Sequence, residues 1–218
     1  MDRGAINFDM TSNLTFDEDQ HEYRLGDRRL PSVTQVIRAS VKGWQAGDFY
    51  LQRGSAVHKA VALAIEDRLD WSTVDERIVG RTRAILKFLE DTQLVPVVVE
   101  HRLASQRYQF AGCLDYVGCA PIIETDYMIL DWKGSLTPES FLQLGGYQIL
   151  WSENRKEPIT RAALIQCRDD ATYKCAWLTR RELKDAANTF LSFLTVHGWR
   201  EKHGLNREGF EKEGLPYH

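Results

Sequence analysis

The chain falls into two textures. Up to about residue 93 apolar residues recur mainly at helical spacing, and from Val95 onward β-branched runs take over. Phe16, Tyr23 and Leu25, with Gly26-Asp27 beside them, predict a short hairpin within 14–31. Ser32 stands before Val33, Val36 and Ile37 and predicts an N-capped short helix. Leu51, Ser55, His58, Ala62, Ile65 and Leu69 share one stripe of a long helix over 45–69. A second helix, capped by Ser72 and running to about Glu90, carries Ile78, Ile85, Leu86 and Leu89 on its apolar face.

Three strands follow: VPVVVEHR over 95–102, Tyr108–Cys119 and Tyr127–Lys133. The links at Ser105-Gln106 and Pro121–Asp126 are short, which predicts an antiparallel meander. Thr137-Pro138 opens a helix to about Asn154, with proline at its first helical position. Ala162–Cys167 and Thr172–Leu178 predict two further strands around an Asp169-Asp170 turn, and Thr179 caps a last helix to about His197. The polar segment 204–218 is expected to fray. This order describes an α/β or α+β sheet flanked by helices.

Composition narrows the class. At 218 residues with 43% hydrophobic residues, one domain can bury a core without a disulfide or structural metal. The net charge of −3 argues against a protein that coats nucleic acid with a broad basic face. A carboxylate-rich catalytic site with a narrow nucleic-acid groove remains compatible with it. Cys113, Cys119, Cys167 and Cys175 form no CxxC knuckle and read as reduced thiols on strands. No run of ~20 apolar residues predicts a membrane span. The opening MDRGAINFDMTSN lacks the apolar core of a signal peptide, so the expected location is the cytoplasm of a bacterium or phage-infected cell.

The candidate chemistry sits on the meander. Asp131 and Lys133 flank Trp132 at the end of the most apolar strand and share one of its faces. Alone, the pair reads equally as a surface ion pair of little energetic weight. Asp115 interrupts the otherwise apolar run from Phe110 to Gly118, where an unpaired charge is costly. If the two strands form a hairpin, both carboxylates approach one point, and a divalent cation relieves their repulsion. Glu100 ends the first strand, where it either joins them or leaves into solvent. His58 lies in an apolar helical stripe, where a histidine is more often a satisfied core residue than a ligand. Gly54, one turn earlier, permits close backbone approach. Gln143 and Tyr147 share one face of the next helix.

In order, Gly54-x3-His58, Glu100, Gly112-x2-Asp115, Asp131-x-Lys133 and Gln143-x3-Tyr147 resemble the RecB-type branch of the PD-(D/E)xK nucleases. The likeness is to phage exonucleases and mitochondrial genome maintenance exonucleases, and covers about 16–155; His21-x-Tyr23 and LPSVT at 30–34 belong to it. It implies a restriction-endonuclease-like core with a central mixed sheet flanked by helices. It implies one nuclease domain over 1–218, with N-terminal hairpin and helices at 14–93 and catalytic core at 94–200.

The resemblance also assigns roles. Asp115 and Asp131 would be the main ligands of one or two magnesium or manganese ions, with His58 and the Trp132 carbonyl completing the shell. Glu100 would assist a metal or its water, and Lys133 would position the attacking water. Gln143 and Tyr147 would hold the DNA strand. Leu114 replaces a proline often found before the first aspartate, and the cysteine quartet of iron–sulfur relatives is not matched, so no cluster is expected. Arg53 and Lys59, with Arg38, Lys42 and Arg155-Lys156, are further candidates for DNA contact. Trp44, Phe49, Tyr50 and Trp151 are candidates for base stacking. The expected activity is metal-dependent DNA exonuclease on single strands or free ends. An endonuclease or flap nuclease, an RNase and a non-catalytic DNA-binding subunit are the alternatives.

Overall fold

The structure, a computed structural model, describes residues 13–41, 48–120 and 123–205, with the backbone alone described at 48–51 and 123–126. Its N-terminal sheet is antiparallel, β1 (Leu14–Asp17), β2 (Glu22–Leu25) and β3 (Arg28–Leu30). The expected hairpin thus gains a third strand. Only its Leu30 is buried, so its residues show no alternation that could announce it.

Ser32 caps α1 (Val33–Ser40) in a capping box with Gln35. Helix α2 spans Asp48–Ile65 and α3 spans Glu76–Thr92. Ser72 does not start α3: its hydroxyl donates to Asp70, which caps a 3-10 turn at Trp71–Thr73, and Asp75 caps the helix. A carboxylate on each side of Ser72 wins the backbone N–H groups there.

The central sheet is mixed, in the order β4 (Val95–Ser105), β5 (Phe110–Ala120), β6 (Ile123–Lys133), β7 (Ile159–Cys167) and β8 (Tyr173–Leu178). Strands β4 to β6 form the antiparallel meander, β7 runs parallel to β6, and β8 returns antiparallel. The parallel step is the one bridged by a helix, α4 (Pro138–Asn154). Strand β6 reaches back to Ile123, into the segment expected to turn, while Pro121 and Ile122 lie outside the described residues. Helix α5 (Arg180–Lys202) starts at the Thr179 cap and outlasts its expected end at His197. The tail from 206 lies outside the described residues.

Helices cover both faces of this sheet. One core joins Val33, Val36 and Ile37 of α1, Leu144, Tyr147 and Leu150 of α4 and Phe190 of α5 to the sheet. The other joins Val57 and Val61 of α2 and Ile78, Ile85 and Phe88 of α3 to Leu130, Trp132 and Ile165. Among the described residues no helix is long and apolar enough to cross a membrane.

Candidate active site

Strand pairing creates the site by failing at two places. Between the paired Val99–Tyr116 and His101–Leu114, Glu100 stands opposite Asp115 but outside the ladder. Its φ of 47° is left-handed, a strained state for glutamate that is characteristic of functional positions. The β5–β6 ladder stops at Tyr116–Leu130, one residue short of Asp115 and Asp131. There the Asp115 side chain replaces a backbone acceptor: Trp132 N–H donates to its Oδ2 at 3.1 Å. Strand β6 meanwhile stays paired to β7 through Asp131, Trp132 and Lys133. The two strands therefore fork with their carboxylates in the fork.

Asp131 is fully buried and Asp115 is 4% exposed, which rules out a solvated surface ion pair. Lys133 Nζ lies 3.1 and 2.9 Å from the two oxygens of Asp131. From α2, His58 Nδ1 reaches to 3.1 Å from Glu100 Oε1 and 3.4 Å from Asp115 Oδ1. Cys113 Sγ lies 3.6 Å from the other oxygen of Glu100.

The charges couple strongly. Burial, then the neighbouring Asp115 carboxylate, pushes Asp131 up to about 7, against the pull of Lys133 and His58. Burial also works against the charge of Asp115, but His58 and Lys133 outweigh it and hold that carboxyl below its usual range. Burial disfavours the His58 imidazolium, yet Asp115 and then Glu100 overcome it and push the ring up to about 10. For Lys133 burial is likewise outweighed, here by Asp131 and Asp115, and its ammonium is stabilised.

His58, Glu100 and Asp115 fit a divalent cation: their ligand atoms lie within 4.8 Å of one another. One imidazole and two carboxylates are all groups that ligate divalent cations.

On the other flank, Gln143 Nε2 donates to the Tyr147 hydroxyl at 2.5 Å, and both side chains are buried. The Tyr147 hydroxyl is held well above its usual range by burial, then by the charges of Asp115 and Asp131. Its ring lies over Gly112, where an added Cβ would sit 3.1 Å from Tyr147 Cε1. Gln143 Oε1 is buried and has no hydrogen-bond partner among the described residues.

The structure thus gathers His58, Glu100, Asp115, Asp131 and Lys133 where β5 and β6 part, while the Gln143–Tyr147 pair meets β5 at Gly112. Trp132 takes part through its N–H, while its indole packs beside Tyr116 at 5.7 Å. Lys59 is exposed, and Arg53 turns toward Asp169, 3.7 Å away. Trp151 is no stacking platform: it is 1% exposed, and its Nε1 donates to the Glu157 carbonyl. Arg155 lies over that Trp151 ring. Gly54 admits no close neighbour; a Cβ there would meet no described atom within 4 Å. Lys42 and Trp44, and the side chains of Phe49 and Tyr50, lie outside the described residues.

Two residues escaped the sequence reading: Arg81 on α3 and Asp169 as more than a turn residue. Arg81 Nε donates to Asp169 Oδ1 at 2.7 Å. Their sequence separation leaves no local pattern, though Gly80 and Gly134, which admit the two groups, are small residues at those contacts.

Fold and site together define an α/β protein with a mixed five-stranded sheet, a smaller antiparallel sheet and a buried acidic centre beside a lysine. No protein-family model matches the chain, and no curated protein matches its sequence. Among solved structures it is similar to an alkaline exonuclease, LHK-Exo, from Laribacter hongkongensis, at 12% identity over 79% of this chain and 91% of that one, with a TM-score of 0.39. The same enzyme in complex with dAMP gives 13% identity over 80% and 93%, with a TM-score of 0.39.

Proposed function

We propose that the chain is a metal-dependent DNA exonuclease of the RecB-type PD-(D/E)xK branch, formed as one nuclease domain. One observation carries this reading. Asp115 and Asp131 converge where β5 and β6 part, with His58 and Glu100 beside one carboxylate and Lys133 on the other. Such a cluster is costly for a folded protein to maintain. Phosphodiester hydrolysis has a use for each part.

His58, Glu100 and Asp115 would hold the cation, with Asp131 and the Trp132 carbonyl turned to the same cation or a second one. The ion supplies Lewis acidity and positive charge at the scissile phosphate. Lys133 presents its ammonium where the pentavalent phosphorus gains negative charge. Lys133, paired with Asp131, would also position the attacking water. Tyr147, beside Gly112 on the strand that carries Asp115, would position the DNA together with its partner Gln143.

Attack from ends is tested by giving the protein linear and covalently closed DNA of one sequence with magnesium, and RNA in parallel. Degradation of linear DNA with the closed circle and RNA intact is the expected result. Nicking of the closed circle would make it an endonuclease, and RNA hydrolysis at the same rate would remove the DNA assignment.

A further inference from the structure

The N-terminal sheet reaches the carboxylate centre through one arginine. Arg102 lies on β4 two residues beyond Glu100 and stands opposite Cys113 in the ladder. Directly opposed residues of an antiparallel pair point to one face. Cys113 Sγ lies 3.6 Å from Glu100 Oε2, so Arg102, Cys113 and the Glu100 carboxylate share that face. Cys113 is in turn two residues from Asp115, roughly 6.5 Å of strand. One step farther out, Ala104 and Ala111 pack with Tyr23 and Leu30 of the N-terminal sheet. Arg102 thus stands between that sheet and the centre.

Aromatic contact holds its guanidinium. Arg102 Cζ lies 4.7 Å from the Phe16 ring centroid. Phe16 is braced by Tyr23 at 4.5 Å and, edge-on, by His21 at 5.2 Å. Burial and then Cys113 hold the Tyr23 hydroxyl above its usual range, against the pull of Arg102. The N–H groups of a guanidinium lie in its plane, so stacking on a ring face leaves them able to donate. Its ion-pair partner among the described residues is Glu18, in the β1–β2 turn, with Oε1 3.7 Å from Nη2. That carboxylate is 84% exposed, and so open a pair contributes little. The side chains of His58, Glu100 and Arg102 are 24%, 32% and 45% exposed, so the centre and the arginine both meet solvent.

We propose that Arg102 binds a non-scissile phosphate of the DNA strand held at the centre, with the Phe16 ring as its platform and Glu18 as a carboxylate that the phosphate displaces. The assignment rests on the nuclease reading above. A planar guanidinium fork matches two phosphate oxygens, which an ammonium cannot do. A cation one strand step from the carboxylates also offsets the repulsion they exert on an approaching polyanion. The exposed, weakly held Glu18 gives way to a phosphate at little cost.

The other role open to Arg102 is a tie between the N-terminal sheet and β4, and the two roles differ in what they move. The probe is a short fluorescein-labelled single-stranded DNA, bound in EDTA and followed by fluorescence anisotropy at several salt concentrations. Arg102→Gln should weaken binding roughly tenfold, the loss expected for one charge-assisted contact. It should also make the slope of log affinity against log salt shallower by about 0.7, the share of one phosphate on a single strand. Arg102→Lys should keep the parent slope and recover only part of the affinity. Glu18→Gln should bind roughly threefold more tightly than the parent. That gain should vanish when Arg102→Gln is added.

A mere tie would lower the thermal stability of Arg102→Gln and leave its salt slope at the parent value, and that result overturns the proposal. If Arg102→Gln does not fold, Glu18→Gln decides: affinity equal to that of the parent overturns it as well. If the parent still cleaves linear DNA with magnesium, the nuclease reading survives either failure. A parent that neither binds nor cleaves DNA removes both.

Discussion

Trp132 gives its backbone N–H to the Asp115 carboxylate at 3.1 Å, in the place where a β5 carbonyl would accept it in an unbroken sheet. That substitution lets β5 and β6 part without leaving a buried donor unsatisfied. It also fixes one oxygen of Asp115, leaving Oδ1 toward His58. The site is thus an extension of the sheet's own hydrogen bonding.

Glu100 should show a conflict between stability and activity. Its φ of 47° suits glycine and strains any other residue, by about 1–3 kcal/mol for such positions. Glu100→Gly is expected to be more stable than Glu100→Ala by roughly 1 kcal/mol in denaturant unfolding, while both lose cleavage. Equal stability of the two variants would show that the left-handed backbone is not imposed on this position.

Stability and metal binding should depend on pH in opposite senses. His58 is raised from 6.5 to about 10, and Asp131 from 3.8 to about 7. For each raised group, the folded state binds the proton more tightly than the unfolded state. Its contribution is fully present below the unfolded value and is lost as pH rises through the folded one. The Tm of metal-free protein should therefore fall between pH 6.5 and about 10 as His58 loses its proton. A cation needs the neutral ring and the ionised carboxylate, so manganese affinity should rise over the same range, with proton release. Calorimetry with and without saturating manganese checks this, and His58→Gln should remove the decline above about 7. Parallel Tm profiles with and without metal would contradict it.

Two glycines should respond oppositely to alanine. At Gly80 the new Cβ meets the Asp169 carbonyl at 1.8 Å, a backbone contact that cannot rotate away. Gly80→Ala should cost about 1–3 kcal/mol of stability. At Gly54 a Cβ meets no described atom, and relief of helix-glycine entropy should stabilise the fold by roughly 0.5–1 kcal/mol. Weaker DNA binding by a more stable Gly54→Ala would place the strand against α2. Urea titrations and binding assays on both variants decide this.

The core of this site was legible because charge inside an apolar strand is expensive. Asp115 therefore stood out, and the alternation of β6 put Asp131 beside Lys133, though at a strand end that pair read equally as a surface ion pair until its burial was seen. His58 was not separable from a core histidine by its stripe alone; α2 packing against the sheet decides that. The left-handed Glu100 was invisible, since glutamate carries no preference for that backbone and the strain is imposed by its partners. Arg81 and Asp169 were invisible for a related reason: they are 88 residues apart and meet only after α3 docks on the β7–β8 turn. The fold's boundaries slipped where local capping competes, as at Ser72 between Asp70 and Asp75, and where a strand has one buried residue, as at Arg28–Leu30.

The most direct test uses end-labelled linear DNA with purified parent, Asp131→Asn and Lys133→Ala, each shown by circular dichroism to be folded. Magnesium or manganese should support release of labelled nucleotides by the parent, and excess EDTA should stop it. The two variants should fall by at least about a hundredfold, the scale of losing one preorganised charge at the transition state. Undiminished cleavage by either variant, or by the parent in EDTA, would contradict a metal-dependent centre built on Asp131 and Lys133.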